Sequence, residues 1–452
     1  MKNKEFNKKL IRLVLPITLQ NFLFALVPVA DAMMLVRLEQ DAMSAVSLAT
    51  QVNFVLNLFV FAVTMGVSML VAQYWGKGDK DSIEQVWGFS QVILLPVGVL
   101  FFLAAFLFPE TVMRIFTSET AIIRFGAKYL RIVSVSYMLT CVLQVIQVIM
   151  KNTGLVKQVT AISCFMVFAN IIMNAIFIYG YFGVPAMGVE GAALATTISS
   201  FLSLVITIII QAHHHVVCFR IQYIFRIDSN IRQDFIKYTG PVLGNQITWG
   251  IGFTTLTVIM GHLGSDAVAA NSIVAVVKDL ISCFCFALSS GGSIMVGNEL
   301  GANRMEQAKE YGSRLCKLAL YSGILSGLII FASTPIVLQV VNLSDQAAFY
   351  LKWMLVMCVY YMVGRSMNST VISGIFCAGG DTKFGFLCDT VTMWGVIIPI
   401  GALAAFILKV PVLVVFFILN LDELIKLPVV YRHYKKYLWL RNLTRENKVI
   451  NS

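Results

Sequence analysis

The sequence predicts an all-α integral membrane protein of twelve transmembrane helices, arranged as two parallel six-helix repeats around a central cavity. Three observations predict it: long apolar runs recur between short polar breaks, basic residues collect in alternate breaks, and the second half of the chain repeats the first. Of the 452 residues, 58% are hydrophobic and only 13% charged, about half the charge of a typical soluble chain, so lipid is the expected solvent.

A bilayer core of about 30 Å needs roughly 20 apolar residues per helix. Runs of that kind lie near 10–37, 45–74, 86–109, 124–150, 157–181, 188–211, 239–262, 267–298, 313–342, 347–377, 384–408 and 410–434. The start, Lys2 to Arg12 followed by an apolar stretch, imitates a secretory signal. That stretch runs from Leu10 to Leu38 without a small-x-small cleavage site, so an uncleaved first span is expected. No stretch remains for a sizeable soluble domain. The expected division is a first half over 1–211, a linker over 212–238, a second half over 239–438 and a basic tail over 439–452.

Orientation follows from Lys and Arg, which resist translocation. With the amino terminus inside, the inner segments hold Lys2, Lys4, Lys8, Lys9, Lys77, Lys80, Lys151, Lys157, Arg220, Arg226, Arg232, Lys237, Arg304, Lys309, Arg314, Lys383 and the tail. Three outer loops, 182–187, 263–266 and 343–346, have no Lys or Arg, and only the 110–131 connection is noticeably basic. Both termini are therefore expected in the cytoplasm of a multi-pass cell-membrane protein. The excess of 34 Lys+Arg over 23 Asp+Glu is explained by these loops, with no nucleic acid needed as partner.

Nine cysteines are an odd number, fall mostly in apolar stretches and lack CxxC or zinc-finger spacing, so they are expected as small buried hydrophobes. No cofactor is expected. The linker's Phe219-Arg220-Ile221-Gln222-Tyr223-Ile224-Phe225-Arg226 mixes aromatic and basic residues as a membrane-surface strip does. His213-His214-His215 at its start points in three directions on a helix and reads as a solvated linker in preference to a metal site.

Pro16 and Pro241 are 225 positions apart, and that offset aligns the first and seventh spans and the second and eighth without a gap. Asp41-Ala42 meets Asp266-Ala267, Ala45 meets Ala270, Ser47 meets Ser272, Phe59 and Phe61 meet Phe284 and Phe286, and Gly66-x-Ser68 meets Gly291-x-Ser293. Gly76 falls on Gly301, and at an offset of 226 Asn152-Thr153-Gly154 and Lys157 fall near Gly379-Gly380-Asp381 and Lys383. Six spans return the chain to its starting side, so the halves are parallel repeats, an architecture suited to alternating access.

Gly66-x-Ser68…Gln73-x-x-Gly76, Gly291-x-Ser293…Gly297-Asn298-x-Leu300-Gly301, Gly188-x-x-Gly191-Ala192-Ala193-x-Ala195-Thr196 and Gly379-Gly380-Asp381-Thr382, in this order around an internal duplication, resemble the multidrug and toxic compound extrusion family over nearly the whole chain. The resemblance implies a secondary transporter that expels organic cations and other amphipathic small molecules in exchange for Na⁺ or H⁺.

Asp31 lies inside the first span, where a carboxylate costs on the order of 2–3 kcal/mol or more. Its partner in the repeat is Leu256, so the fold does not require an acid there. A desolvated carboxylate is neutralised by a proton or by a cation, which are the needs of a coupling site. The resemblance places polar residues of the fifth and sixth spans beside it: Asn170 and Asn174, four apart on one face, and Thr196. Together they would give Na⁺ a set of oxygens around Asp31. The family's pattern has an acid where Asn174 stands, which leaves Na⁺ against H⁺ open.

In the second half Asn245-Gln246-Ile247-Thr248-Trp249 and Arg365-Ser366-Met367-Asn368 contain no acid where some members carry one. Lys278 and Asp279 sit in the eighth span opposite Asn53-Phe54, so their charge too is not imposed by the fold. Lys278, Asp279 and Arg365 are expected either in the central cavity or in an ion network between helices. Gln20, Gln51, Gln246 and Trp249 join them as expected substrate contacts, and Trp249, Phe253, Phe22 and Phe24 are either packing or stacking partners for aromatic compounds. Asp389 and Asp422 complete the charges of the last two spans, where Glu423 and Lys426, three apart near an inner end, are expected as a surface pair.

The expected function is export of small amphipathic, chiefly cationic, compounds by alternating access, driven by Na⁺ or H⁺ at Asp31, in a monomer. A lipid-linked saccharide flippase of the same superfamily is the rival within transport, favoured by a strongly basic cavity. An integral membrane enzyme is disfavoured, since no acidic pair for Mg²⁺, His-rich box or Ser/His/Asp set stands at workable positions.

Overall fold

A computed structural model of the chain describes residues 2–35 and 40–444. Helices dominate, as they must where no water is present to satisfy an exposed backbone. In chain order they are α1 (Lys2–Leu35), α2 (Gln40–Lys77), α3 (Lys80–Leu107), α4 (Pro109–Arg114), α5 (Thr120–Asn152), α6 (Val156–Tyr179), α7 (Val189–His214), α8 (Gln222–Phe225), α9 (Ser229–Gly261), α10 (Ser265–Gly301), α11 (Met305–Val340), α12 (Asp345–Asn368), α13 (Thr382–Thr392), α14 (Ile398–Ala402), α15 (Val412–Leu419) and α16 (Asp422–Tyr434). π-Helical turns continue α12 over Ser369–Phe376 and link α13 to α14 over Met393–Ile397.

Ten helical segments among the described residues are long and apolar enough to cross a membrane. Of the expected spans, the seventh and the last lie outside that set for chemical reasons. α9 carries Asn245, Gln246 and Thr248, and the last run breaks at Asn420-Leu421 before Asp422, Glu423 and Lys426. α9 also begins at Ser229, ten residues before its apolar run, because a helix continues into the interface beyond the hydrophobic core. Large apolar side chains such as Leu100, Phe168, Ile209, Phe331 and Leu387 remain exposed, as lipid-facing residues do.

The chain divides into two compact units. One comprises residues 1–21, 72–78 and 237–452, the other 22–71 and 79–236. In the second, α3, α5, α7 and α6 pack in succession. Gly191 permits the α6–α7 approach: a Cβ there would lie 2.6 Å from the Phe177 backbone. The motif residue Ser68 of α2 accepts a hydrogen bond from Asn152 Nδ2 of α5 at 3.1 Å. Asp79 caps α3 through the Ser82 amide, and the linker is fastened to that helix. Arg220 pairs with the buried Glu84 at 2.9 Å, Tyr223 donates to Asp81, and Phe219 packs against Trp87.

In the first unit, α10, α11 and α12 form the core with α16 against α12. Leu256 packs against an apolar cluster that includes Ala270, Leu355, Cys358 and Phe416. The end of the chain is not loose as far as it is described: Trp439 and Leu443 are buried. Gln73 holds this segment, donating to Ala378 O at 2.7 Å and Arg441 O at 3.1 Å and accepting from Leu443 N at 2.6 Å. Gln73→Leu keeps the volume but leaves those buried backbone groups unmatched, at about 1–3 kcal/mol each. The variant is expected to release residues 439–444 to limited proteolysis, and wild-type protection would contradict the role.

All nine cysteines are free. His213 and His214 end α7, and among the described residues no group of three His, Cys, Asp or Glu side chains is disposed to hold a metal ion.

Candidate functional site

The expected coupling residues come together within the second unit. Asp31 is on α1, and Asn170 and Asn174 lie one turn apart on the same face of α6. Thr196 projects from α7, which Gly191 allows close against α6. Asn174 donates through Nδ2 to Asp31 Oδ1 at 2.6 Å and to Asn170 Oδ1 at 3.2 Å. Asn170 Nδ2 in turn reaches Thr196 Oγ1 at 3.4 Å. The result is a continuous polar chain from α7 through α6 to the carboxylate on α1.

Both asparagines are buried, at 4% and 1% exposure, whereas Asp31 is partly exposed. Asn174 Oδ1 is buried and accepts no hydrogen bond from the described residues. A carboxylate beside a buried amide oxygen that has no donor offers oxygens to a hard monovalent cation, and the same carboxylate with one donor and a free acceptor nearby is equally suited to a proton. Tyr179 was not singled out from the sequence, yet its hydroxyl donates to Met34 O at 2.7 Å and fixes α1 against the end of α6. Its signal was a hydroxyl at the end of an apolar helix, but nothing local ties that position to Asp31.

The expected substrate contacts are dispersed. Gln20 is buried, Gln51 exposed, and Gln246 and Trp249 intermediate. Trp249 stacks on Phe253 with ring centroids 5.4 Å apart, so these two aromatic rings already pack against each other. Lys278 donates to Asn420 Oδ1 at 3.0 Å and lies 4.3 Å from the Tyr361 ring centroid. Asp279 is exposed. Arg365 pairs with Glu423 at 3.0 Å and covers the Phe286 ring. A wide cleft of about 1360 Å³ opens elsewhere in the first unit, lined by Arg304, Lys309, Lys317, Leu320 and Tyr434 and by none of the expected substrate residues.

Glu423 and Lys426 correct the expectation of a surface pair: they are 1% and 7% exposed. Lys426 Nζ lies 3.0 Å from Asp389, 3.4 Å from Glu423 and 3.6 Å from Asp422. Glu423 also accepts from Asn368 Nδ2 at 2.7 Å, and Asp389 accepts from Asn245 Nδ2 at 2.9 Å. The reason is tertiary. Spacing of three puts Glu423 and Lys426 side by side, but α12 and α13 cover the side of α16 on which they lie.

The chain matches the MatE family twice, over residues 16–176 and 241–403, and the two matches begin at Pro16 and Pro241. Among curated proteins it is similar to the "Uncharacterized transporter YisQ" of Bacillus subtilis, 22% identical over 96% of this chain and 95% of the relative. The "Probable multidrug resistance protein NorM" of Thermotoga maritima is 23% identical over 88% of this chain and 85% of its own length. Among solved structures, a MOP superfamily transporter from Pyrococcus furiosus is similar with a TM-score of 0.87 at 16% identity, covering 96% of each chain. The Vibrio cholerae MATE transporter VcmN in its bent form is similar with a TM-score of 0.85, also at 16% identity, over 96% of this chain and 97% of that one.

Proposed function

Because the chain belongs to the MatE family of transporters, and is therefore a multi-pass membrane protein that moves small molecules and not an enzyme, we propose that it exports amphipathic, chiefly cationic, compounds in exchange for Na⁺ or H⁺ bound at Asp31. The observation that carries this reading is the polar chain Asp31–Asn174–Asn170–Thr196 within one unit. It ends on an acid for which the duplicated half has Leu256, packed in an apolar cluster. An acid that the fold does not need, bonded to Asn174 and through it linked to Asn170 and Thr196, is a group kept for what it binds.

The rival flippase reading drew on a basic cavity. Its support weakens because Arg365 is paired with Glu423 and so is not an uncommitted cation awaiting an anionic cargo. The distribution of Lys and Arg supports cytoplasmic termini as part of the same reading.

The test is efflux of ethidium from proteoliposomes under an imposed Na⁺ gradient and, separately, an imposed H⁺ gradient. Acceleration under one gradient names the ion; no acceleration under either would overturn the proposal. Leu256→Asp is expected to leave the ion-to-dye ratio unchanged, since its neighbours in the apolar cluster offer no amide partners like Asn170 and Asn174. A doubled ratio would contradict the asymmetry of the two halves.

A further inference from the structure

Asp389, Asp422, Glu423, Lys426 and Arg365 form a charge network that the Asp31 site does not use, with Glu423 and Lys426 buried and the other three half-buried. Its members are unequally served. Glu423 meets Arg365, Asn368 and Lys426, and Asp389 meets Lys426 and Asn245. Asp422 has Lys426 at 3.6 Å, beyond hydrogen-bonding reach. The charged and titratable groups that face Asp422 are Glu423 and Lys426 on its own helix, Arg365, Tyr360 and Tyr361 on α12, Lys278 on α10 and Asp389 across a shared cavity. Asp279 lies within electrostatic reach of Lys278 and Arg365, so Lys278 and Asp279 together add no net charge, and the ion-paired groups hold three carboxylates against two cations.

That cavity has a volume of about 10 Å³ and is lined by Asn245, Thr248, Asp389, Thr392, Asp422 and Lys426 among others. A volume of this size admits roughly one water molecule. Two amide oxygens in and beside the network, Asn245 Oδ1 and Asn368 Oδ1, are buried and accept no hydrogen bond from the described residues. Asn368 is only 3% exposed and spends its amide group on Glu423.

We propose that Asp422 is a proton-binding site: it takes up the proton that neutralises the surplus carboxylate and presents it as a hydrogen-bond donor within the small cavity it shares with Asn245 and Asp389. Three features point to a proton in preference to a metal cation. The ammonium of Lys426 already stands within 4 Å of all three carboxylates, so a second cation would be placed against it. With the space of about one water, the cavity cannot hold a metal cation together with waters of its coordination shell. Asn245 Oδ1 lacks a donor, which a protonated carboxyl in the cavity it shares with Asp422 supplies. The site lies on residues distant in sequence from Asp31 and does not depend on the function proposed for that residue.

The test is infrared spectroscopy of the full chain in lipid bilayers, following the protonated-carboxyl absorbance as the pH is raised. In wild type, part of this absorbance is expected to vanish; Asp422→Asn removes that part, and Asp31→Asn leaves it. An unchanged titration in Asp422→Asn overturns the proposal, whatever Asp31 does. Lys426→Met gives a second reading that does not alter Asp422. With one cation fewer the network is expected to hold one further protonated carboxyl at the same pH, and no gain would count against the site.

Discussion

Asp31→Asn is expected to abolish ion-driven export, reducing dye efflux under the effective gradient to the rate of empty liposomes, while the protein remains folded in the membrane. The substitution is nearly isosteric. An amide oxygen at position 31 can still accept the hydrogen bond that Asn174 Nδ2 now makes at 2.6 Å, so the α1–α6 contact survives. What is lost is the charge that a proton or Na⁺ neutralises. Removing a carboxylate from a membrane helix also lifts a cost on the order of 2–3 kcal/mol, so the variant is expected to be no less stable than wild type. Thermal unfolding in detergent, run beside the efflux assay, separates the two effects. A folded Asp31→Asn protein that still couples dye efflux to the gradient would remove Asp31 from the mechanism.

The largest effect on stability is expected at Glu423. Its side chain is 2% exposed and accepts from Arg365 and Asn368 while facing Lys426. It sits where α16 approaches α12 closely, since a Cβ on Gly364 would lie 2.8 Å from Glu423 Cβ. Glu423→Ala strands the Arg365 guanidinium at that contact, while the Asn368 amide keeps its bond to the Glu423 carbonyl. Breaking a buried pair from one side costs about 3–5 kcal/mol, whereas replacing both partners by apolar groups is often close to neutral. The unfolding midpoint of Glu423→Ala is therefore expected to fall steeply, and Arg365→Met with Glu423→Leu to recover most of the loss. Equal midpoints for wild type and Glu423→Ala would show that the network contributes nothing to holding α12 and α16 together.

The difference between these two sites also shows what a sequence conveys. Asp31 stood out because the internal repeat exposes it as an acid without a counterpart, whereas only the resemblance to the extrusion family set Asn170, Asn174 and Thr196 beside it; the one-turn spacing of the asparagines says no more than that they share a helix face. Glu423 and Lys426 were misread because spacing of three near a helix end looks the same on a solvated surface and under a covering helix. Their burial is decided by Arg365 and Asp389, which stand 58 and 37 positions away from Glu423 and Lys426. The same holds for the segment after Trp439, which reads as a charged tail but is docked through Gln73, some 370 positions away. Apolar runs located the helices well, and missed the start of α9 at Ser229 because a helix need not stop where its hydrophobic stretch does.

The most direct test of antiport runs the cycle backwards. Proteoliposomes are given a gradient of ethidium alone, with equal Na⁺ and pH on both sides, and the internal Na⁺ and pH are followed with trapped indicators. In wild type, dye moving down its gradient should drive one of the two ions in the opposite direction, away from equilibrium, and Asp31→Asn should show no such movement. Dye transport by the wild-type protein with no displacement of either ion would contradict the account.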